Sequence, residues 1–158
     1  MTITYPYLPE GRSIQYVPAE NIFMAEAKNV RDTLSTDRLH STSAVVVKDN
    51  KVIGRGANQS LLKTKFLADF HRNVFCVRRL FKIRSGEKYW LCPGCSSCRH
   101  HAEAQAVKDA LAKADSISGA DLYLYGHWWC CKPCWDTMIA AGISKVYLVN
   151  DASNLFRK

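Results

Sequence analysis

His101-Ala102-Glu103 and, further downstream, Cys131-Lys132-Pro133-Cys134 bring together the side chains that hydrolytic metal chemistry uses. An imidazole and two thiolates give a zinc ion three protein ligands and leave one position open. That open position distinguishes a catalytic zinc from a sealed structural one. Glu103, two residues beyond the histidine, supplies the acid/base such a site needs. H-x-E alone carries little information, but joined to C-x-x-C it predicts a zinc site of His101, Cys131 and Cys134 with Glu103 as proton carrier.

A second group stands just upstream. Cys92-Pro93-Gly94-Cys95 and then Cys98 form a compact knuckle suited to structural zinc, with His100 and Cys76 as candidates for the remaining ligand. The seven cysteines are an odd count, and most are clustered. Met1 to Pro18 lacks the basic-then-apolar order of a signal peptide, so the clustered cysteines are expected to be metal ligands before disulfides, and the cytoplasm is the expected compartment.

Both groups must be positioned by regular elements. The chain has 158 residues, 47% apolar and 23% charged, which is a single globular domain (1–158) without a membrane span. Residues 1–17, with Tyr5, Pro6, Tyr7, Pro9 and Gly11, show no period and are expected to lie as a surface arm. Pro18 suits a first helical position ahead of the amphipathic Ile22–Leu34 stretch. Ser43 to Lys48, the turn Asp49-Asn50, and Lys51 to Gly56 predict a β-hairpin. Leu62 to Ile83 has helical spacing and is followed by a turn at Ser85-Gly86. Ala102 to Ala114 is a strong helix. Leu122 to Tyr125 reads as a strand, Cys131 to Ala141 as a helix closed by Gly142, and Lys145 to Val149 as a last strand. This order describes an α/β domain with helices layered on a sheet.

The net charge of +8 is uneven. Lys63, Lys65, Arg72, Arg78, Arg79 and neighbouring bases concentrate between Leu61 and Trp90, opposed by Asp69 and Glu87. Such a segment attracts phosphate, either on a nucleotide or along a nucleic acid, or it is a solvated helix face.

Ser43 to Asn58 (SAVVVKDNKVIGRGAN), His101 to Val107 (HAEAQAV) and Gly119 to Val149 resemble the hairpin, the zinc helix and the second half of the core of the cytidine/deoxycytidylate deaminase superfamily, closest to its dCMP deaminase-like zinc enzymes. The arm 1–17 and a basic, cysteine-rich insertion, 59–99, fall outside the resemblance. It implies a three-layer α/β/α cytidine-deaminase-like fold with a central mixed sheet. It also implies one catalytic zinc on His101, Cys131 and Cys134, Glu103 as proton shuttle, Asn58 and Ala102 against the substrate, and a homo-oligomer. Two features depart from the pattern. Cys130 stands where a proline is usual and could replace Cys131 as a ligand, although the C-x-x-C spacing prefers Cys131 and Cys134, and the loop Gly126-His127-Trp128-Trp129 is longer.

Three functions are compatible with these residues. The first is deamination of dCMP to dUMP, with Arg78 or Arg79 neutralising the phosphate. The second is deamination of a cytosine or adenine in single-stranded DNA or tRNA, with Trp128 and Trp129 stacking on bases; the alternative role of the tryptophans is to cover the core. The third is a non-catalytic, zinc-stabilised nucleic-acid-binding module, against which the intact Glu103 argues. Size and resemblance favour the free nucleotide.

Overall fold

The computed structural model describes residues 6–37, 40–84 and 86–157. Tyr5 of the arm and Ser85 of the expected Ser85-Gly86 turn lie outside the described residues.

Strands β1 (Ile14–Val17), β2 (Ser43–Lys48), β3 (Lys51–Ala57), β4 (Asp121–Tyr125) and β5 (Val146–Val149) form one sheet in the order β1-β5-β4-β2-β3. β3, β2 and β4 pair antiparallel, while β4, β5 and β1 pair parallel, so the sheet is mixed. The helices are α1 (Ile22–Leu34), α2 (Lys65–Asn73), α3 (Val77–Leu80), α4 (Ala102–Leu111), α5 (Lys132–Ala140) and α6 (Ala152–Phe156). Among the described residues no helix is long and apolar enough to cross a membrane.

Side-chain alternation assigns the two faces of the sheet. Ser43 Oγ donates to the Ala27 carbonyl of α1, and Arg55 pairs with Glu26 of α1 at 2.7 Å. Phe23 of α1 packs on Tyr123, which stacks on Tyr147 at 4.5 Å. On the opposite face, Gly54 and Gly56 of β3 sit directly beneath α4, where a methyl group would collide with helix backbone. α4 in turn packs on α5. The result is the expected three-layer arrangement, with α1 on one side and α4 with α5 on the other.

Several sequence expectations are corrected. Ile14–Val17, read as part of a surface arm, is the edge strand β1. Its half-exposed pattern and short length hid a parallel pairing with β5 that no local signal announces. α1 begins at Ile22 rather than Pro18, because the Asn21 side chain accepts from the amides of Phe23 and Met24 and caps the helix there. The hairpin matches, with Asp49 and Asn50 both at positive φ as a two-residue turn requires. The single helix expected over 62–83 is broken into α2 and α3, since the chain turns at Val74–Phe75 to bring Cys76 inward. α6 was not anticipated.

Candidate metal and substrate site

α4 and α5 start at the same end of the sheet. His101 is the residue capping α4 and Cys131 the one capping α5, each with extended backbone. Cys134 follows one turn into α5. Their donor atoms converge: His101 Nδ1 lies 3.5 Å from Cys131 Sγ and 3.4 Å from Cys134 Sγ, and the sulfurs are 3.4 Å apart. With metal–ligand bonds of about 2.0–2.3 Å, neighbouring donors of a tetrahedral zinc stand roughly 3.5–3.8 Å apart. The three residues therefore fit that ion with little movement.

The tautomer of His101 is settled by its other nitrogen. Nε2 faces the Ser96 carbonyl at 3.0 Å, and a carbonyl can only accept, so the proton sits on Nε2 and Nδ1 presents a lone pair to the thiols. The edge of His101 also meets Tyr89 at 4.8 Å between ring centres.

Ionising either thiol needs a counter-charge. Cys131 is pushed up by its hydrogen bond to Cys134 and by burial. Cys134 is drawn down by that same bond, but burial and the Glu103 charge leave it raised to about 12. Both would stay protonated without a dication to offset these costs. Glu103 is buried in the first turn of α4, its carboxylate within 4.8 Å of the His101 and Cys134 donor atoms.

The other expected residues separate by environment. Ala102 is buried at the start of α4 and lines the pocket. Asn58 is buried and heavily engaged: Oδ1 accepts from Ser35 Oγ at 2.6 Å and from the Thr42 amide at 2.9 Å, while Nδ2 donates to the His40 carbonyl at 2.6 Å. Only one Nδ2 hydrogen remains for a ligand. Trp128 is half-exposed at the pocket, with the Arg157 guanidinium 5.6 Å from its ring, whereas Trp129 also borders the pocket but is mostly buried in the core. Arg78 is buried, donating to the carbonyls of Glu87 and Arg84 and lying 4.0 Å over Tyr89. Arg79 donates to the carbonyls of His71 and Arg72. Both arginines line the pocket but spend guanidinium hydrogens on the chain itself.

Cys130 is fully buried. Desolvation and the adjacent Glu103 carboxylate, to which its thiol hydrogen-bonds, raise its pKa well above the ordinary value, so it faces the proton carrier as a neutral thiol. The knuckle divides. Cys92 and Cys95 join Cys76, together with His71. Cys98 instead lies within 4.8 Å of the His101 and Cys131 donor atoms, and His100 Nδ1 pairs with Ser97 Oγ at 2.7 Å. A 3-10 turn over Cys98–His100 carries the chain away from the knuckle towards α4, and so takes these two residues out of that cluster.

His101, Glu103, Cys131, Asn58 and Trp128 line one cavity of about 550 Å³, within the range of small-ligand sites, and Cys76 and Cys95 of the knuckle border it too. Sequence reasoning missed His71, His127 and Arg157, and named Arg72 only as part of the basic segment. His127 lies two residues past the C-terminal end of β4, the place where α/β sheets gather ligand residues, which is a usable signal. Its Nδ1 accepts from the Trp129 amide at 3.3 Å, leaving Nε2–H as its donor, and burial lowers its pKa. Nothing in spacing pointed to His71.

The family model of the MafB19-like deaminases matches residues 18–156. No curated protein sequence matches the chain. Among solved structures the fold is similar to the dCMP deaminase of cyanophage S-TIM5. The apo form is 20% identical over 85% of this chain and 86% of that one, with a TM-score of 0.50. The complex of that enzyme with dCMP and dUMP is 19% identical over 84% of each chain, with a TM-score of 0.51.

Proposed function

The chain belongs to the MafB19-like deaminase family, and we propose that it is a zinc-dependent hydrolase converting dCMP to dUMP and ammonia. The observation that carries this reading is the convergence of His101, Cys131 and Cys134 at 3.4–3.5 Å, with the Glu103 carboxylate beside them in the same cavity. A zinc ion bound there would supply the Lewis acidity that brings the pKa of a water towards neutrality. Glu103 would accept the proton that water gives up and deliver it to ring N3, making C4 electrophilic. As the water oxygen bonds to C4, the same carboxylate would carry a second proton to the exocyclic amine, which leaves as ammonia. Ser96 keeps His101 in the tautomer that binds metal, and the remaining Nδ2 hydrogen of Asn58 is available to a sugar or base oxygen. Trp128 offers a face for stacking. Arg157 and Arg72, at the pocket beside the engaged Arg78 and Arg79, offer charge for a monophosphate. The homo-oligomer remains part of the proposal by resemblance to nucleotide deaminases.

The test is ammonia release from dCMP by zinc-loaded protein, with Glu103→Ala alongside. Turnover in the wild type and none in the variant, which should keep its zinc because Glu103 is not a ligand, supports the assignment. No turnover with zinc present defeats it.

A second reading is favoured by one observation. The insertion exposes Phe66, Phe81 and Trp90 among its lysines and arginines, the combination that single-stranded nucleic acids bind. A base in single-stranded DNA or tRNA would then be the substrate, and binding to an oligonucleotide would fall steeply with salt.

A further inference from the structure

Among its described residues the insertion has little apolar core of its own. Phe66, Phe81 and Trp90 are 76%, 68% and 79% exposed. Its own buried apolar cluster consists of three cysteines, with Val77 and Tyr89 leaning on them. A segment of this size that leaves its aromatics in water needs another source of order, and small units without a core draw it from disulfides or metals.

Its cysteines are not disulfides. Cys76 Sγ lies 3.9 Å from Cys92 Sγ and 3.7 Å from Cys95 Sγ, against about 2.05 Å for an S–S bond. His71 Nε2, from the buried face of α2, lies 3.3 Å from Cys92 Sγ and 3.7 Å from Cys95 Sγ. These separations approach the edges of a tetrahedron drawn around zinc with bonds of about 2.1 and 2.3 Å. All four residues are buried, and no position is left open. Gly94 fits this purpose: a Cβ there would stand 2.2 Å from His71 Cγ, so only glycine lets the imidazole lie across the knuckle. Three thiolates around a dication leave one net negative charge, and the buried Arg78 side chain favours the thiolate of Cys95.

We propose that His71, Cys76, Cys92 and Cys95 bind a second zinc ion, with all four of its positions taken by protein, which orders the insertion and through it positions the first metal site. The coupling runs through one residue. Ser96 directly follows Cys95, its Oγ donates to Asp37 at 3.0 Å, and its carbonyl receives the His101 Nε2–H. The knuckle thus places the carbonyl that fixes the tautomer and ring direction of His101, the kind of outer partner whose loss weakens a metal site.

Zinc per chain, counted by native mass spectrometry and elemental analysis of the intact protein, tests this without any activity measurement. The wild type should carry two zinc ions and the Cys131→Ser/Cys134→Ser double variant one. One zinc in the wild type and none in the double variant overturns the site. Gly94→Ala should displace His71 and lose the second zinc, while the affinity of the remaining site falls roughly 10- to 100-fold. If the second zinc is lost and that affinity does not change, the coupling through Ser96 is wrong. Should Gly94→Ala fail to fold, the zinc count of the double variant still decides whether the site exists.

Discussion

Replacing Gly56 with alanine tests whether the packing of α4 on β3 sets the geometry of the metal site. The added Cβ would stand 2.2 Å from the Ala106 amide nitrogen, 2.5 Å from the Ala102 carbonyl and 2.7 Å from the Gln105 carbonyl carbon. All three are backbone atoms, so no side chain can rotate away. Restoring ordinary contact requires α4 to retreat by about 1 Å at its first turn, the turn that carries His101, Ala102 and Glu103. Overpacked interiors lose about 1–3 kcal/mol, and a backbone clash belongs at the upper end. For a domain of this size that is a fall of about 6–12 °C in Tm. A displacement of about 1 Å at the reacting groups costs about 100-fold in turnover. Gly54→Ala is the comparator, because its Cβ meets Ala106 and Ala110, one turn further from His101. Thermal melts, zinc titration and ammonia release from dCMP should show both variants destabilised, with Gly56→Ala the more impaired in zinc affinity and kcat. If Gly56→Ala melts low yet binds zinc and turns over no worse than Gly54→Ala, the position of α4 does not control the site.

Asn58→Ala removes the partner of the Thr42 amide and the His40 carbonyl, and leaving a buried group unsatisfied costs about 1–3 kcal/mol, so a lower Tm should accompany any rise in KM. Trp128→Ala should raise KM roughly 5- to 150-fold, as expected from the stacking energy of a base, with a smaller fall in Tm than Trp129→Ala because its ring only partly packs on the core. Trp129→Ala should instead lose about 3–5 kcal/mol of stability because that side chain is core. Burial holds the His127 pKa below its ordinary value of 6.5, so the folded chain binds fewer protons than the unfolded one just below that pH. Stability should be complete above pH 6.5 and decline as pH falls through it towards the lowered value. Melts of His127→Gln across that range should show a shallower decline, and an unchanged slope would exclude the imidazole as its cause.

Residue type and spacing were enough to nominate His101, Glu103, Cys131 and Cys134, whose donor atoms the fold brings together, because such a constellation depends on few atoms at helix starts. His101 and Cys131 are each the last extended residue before a helix, and Cys134 is one turn on, so local rules nearly determine their geometry. The hairpin was legible for the same reason, its Asp49-Asn50 turn being encoded in two residues. What tertiary structure alone decided involves partners distant in sequence. Ile14–Val17 is a strand only because β5 lies beside it. The knuckle takes its fourth donor from His71, far upstream, while Cys98, nearer in sequence, turns towards His101. Spacing can nominate ligands within a turn or a knuckle, but which distant histidine completes the set depends on how α2 packs, and that packing is settled by the folded chain as a whole.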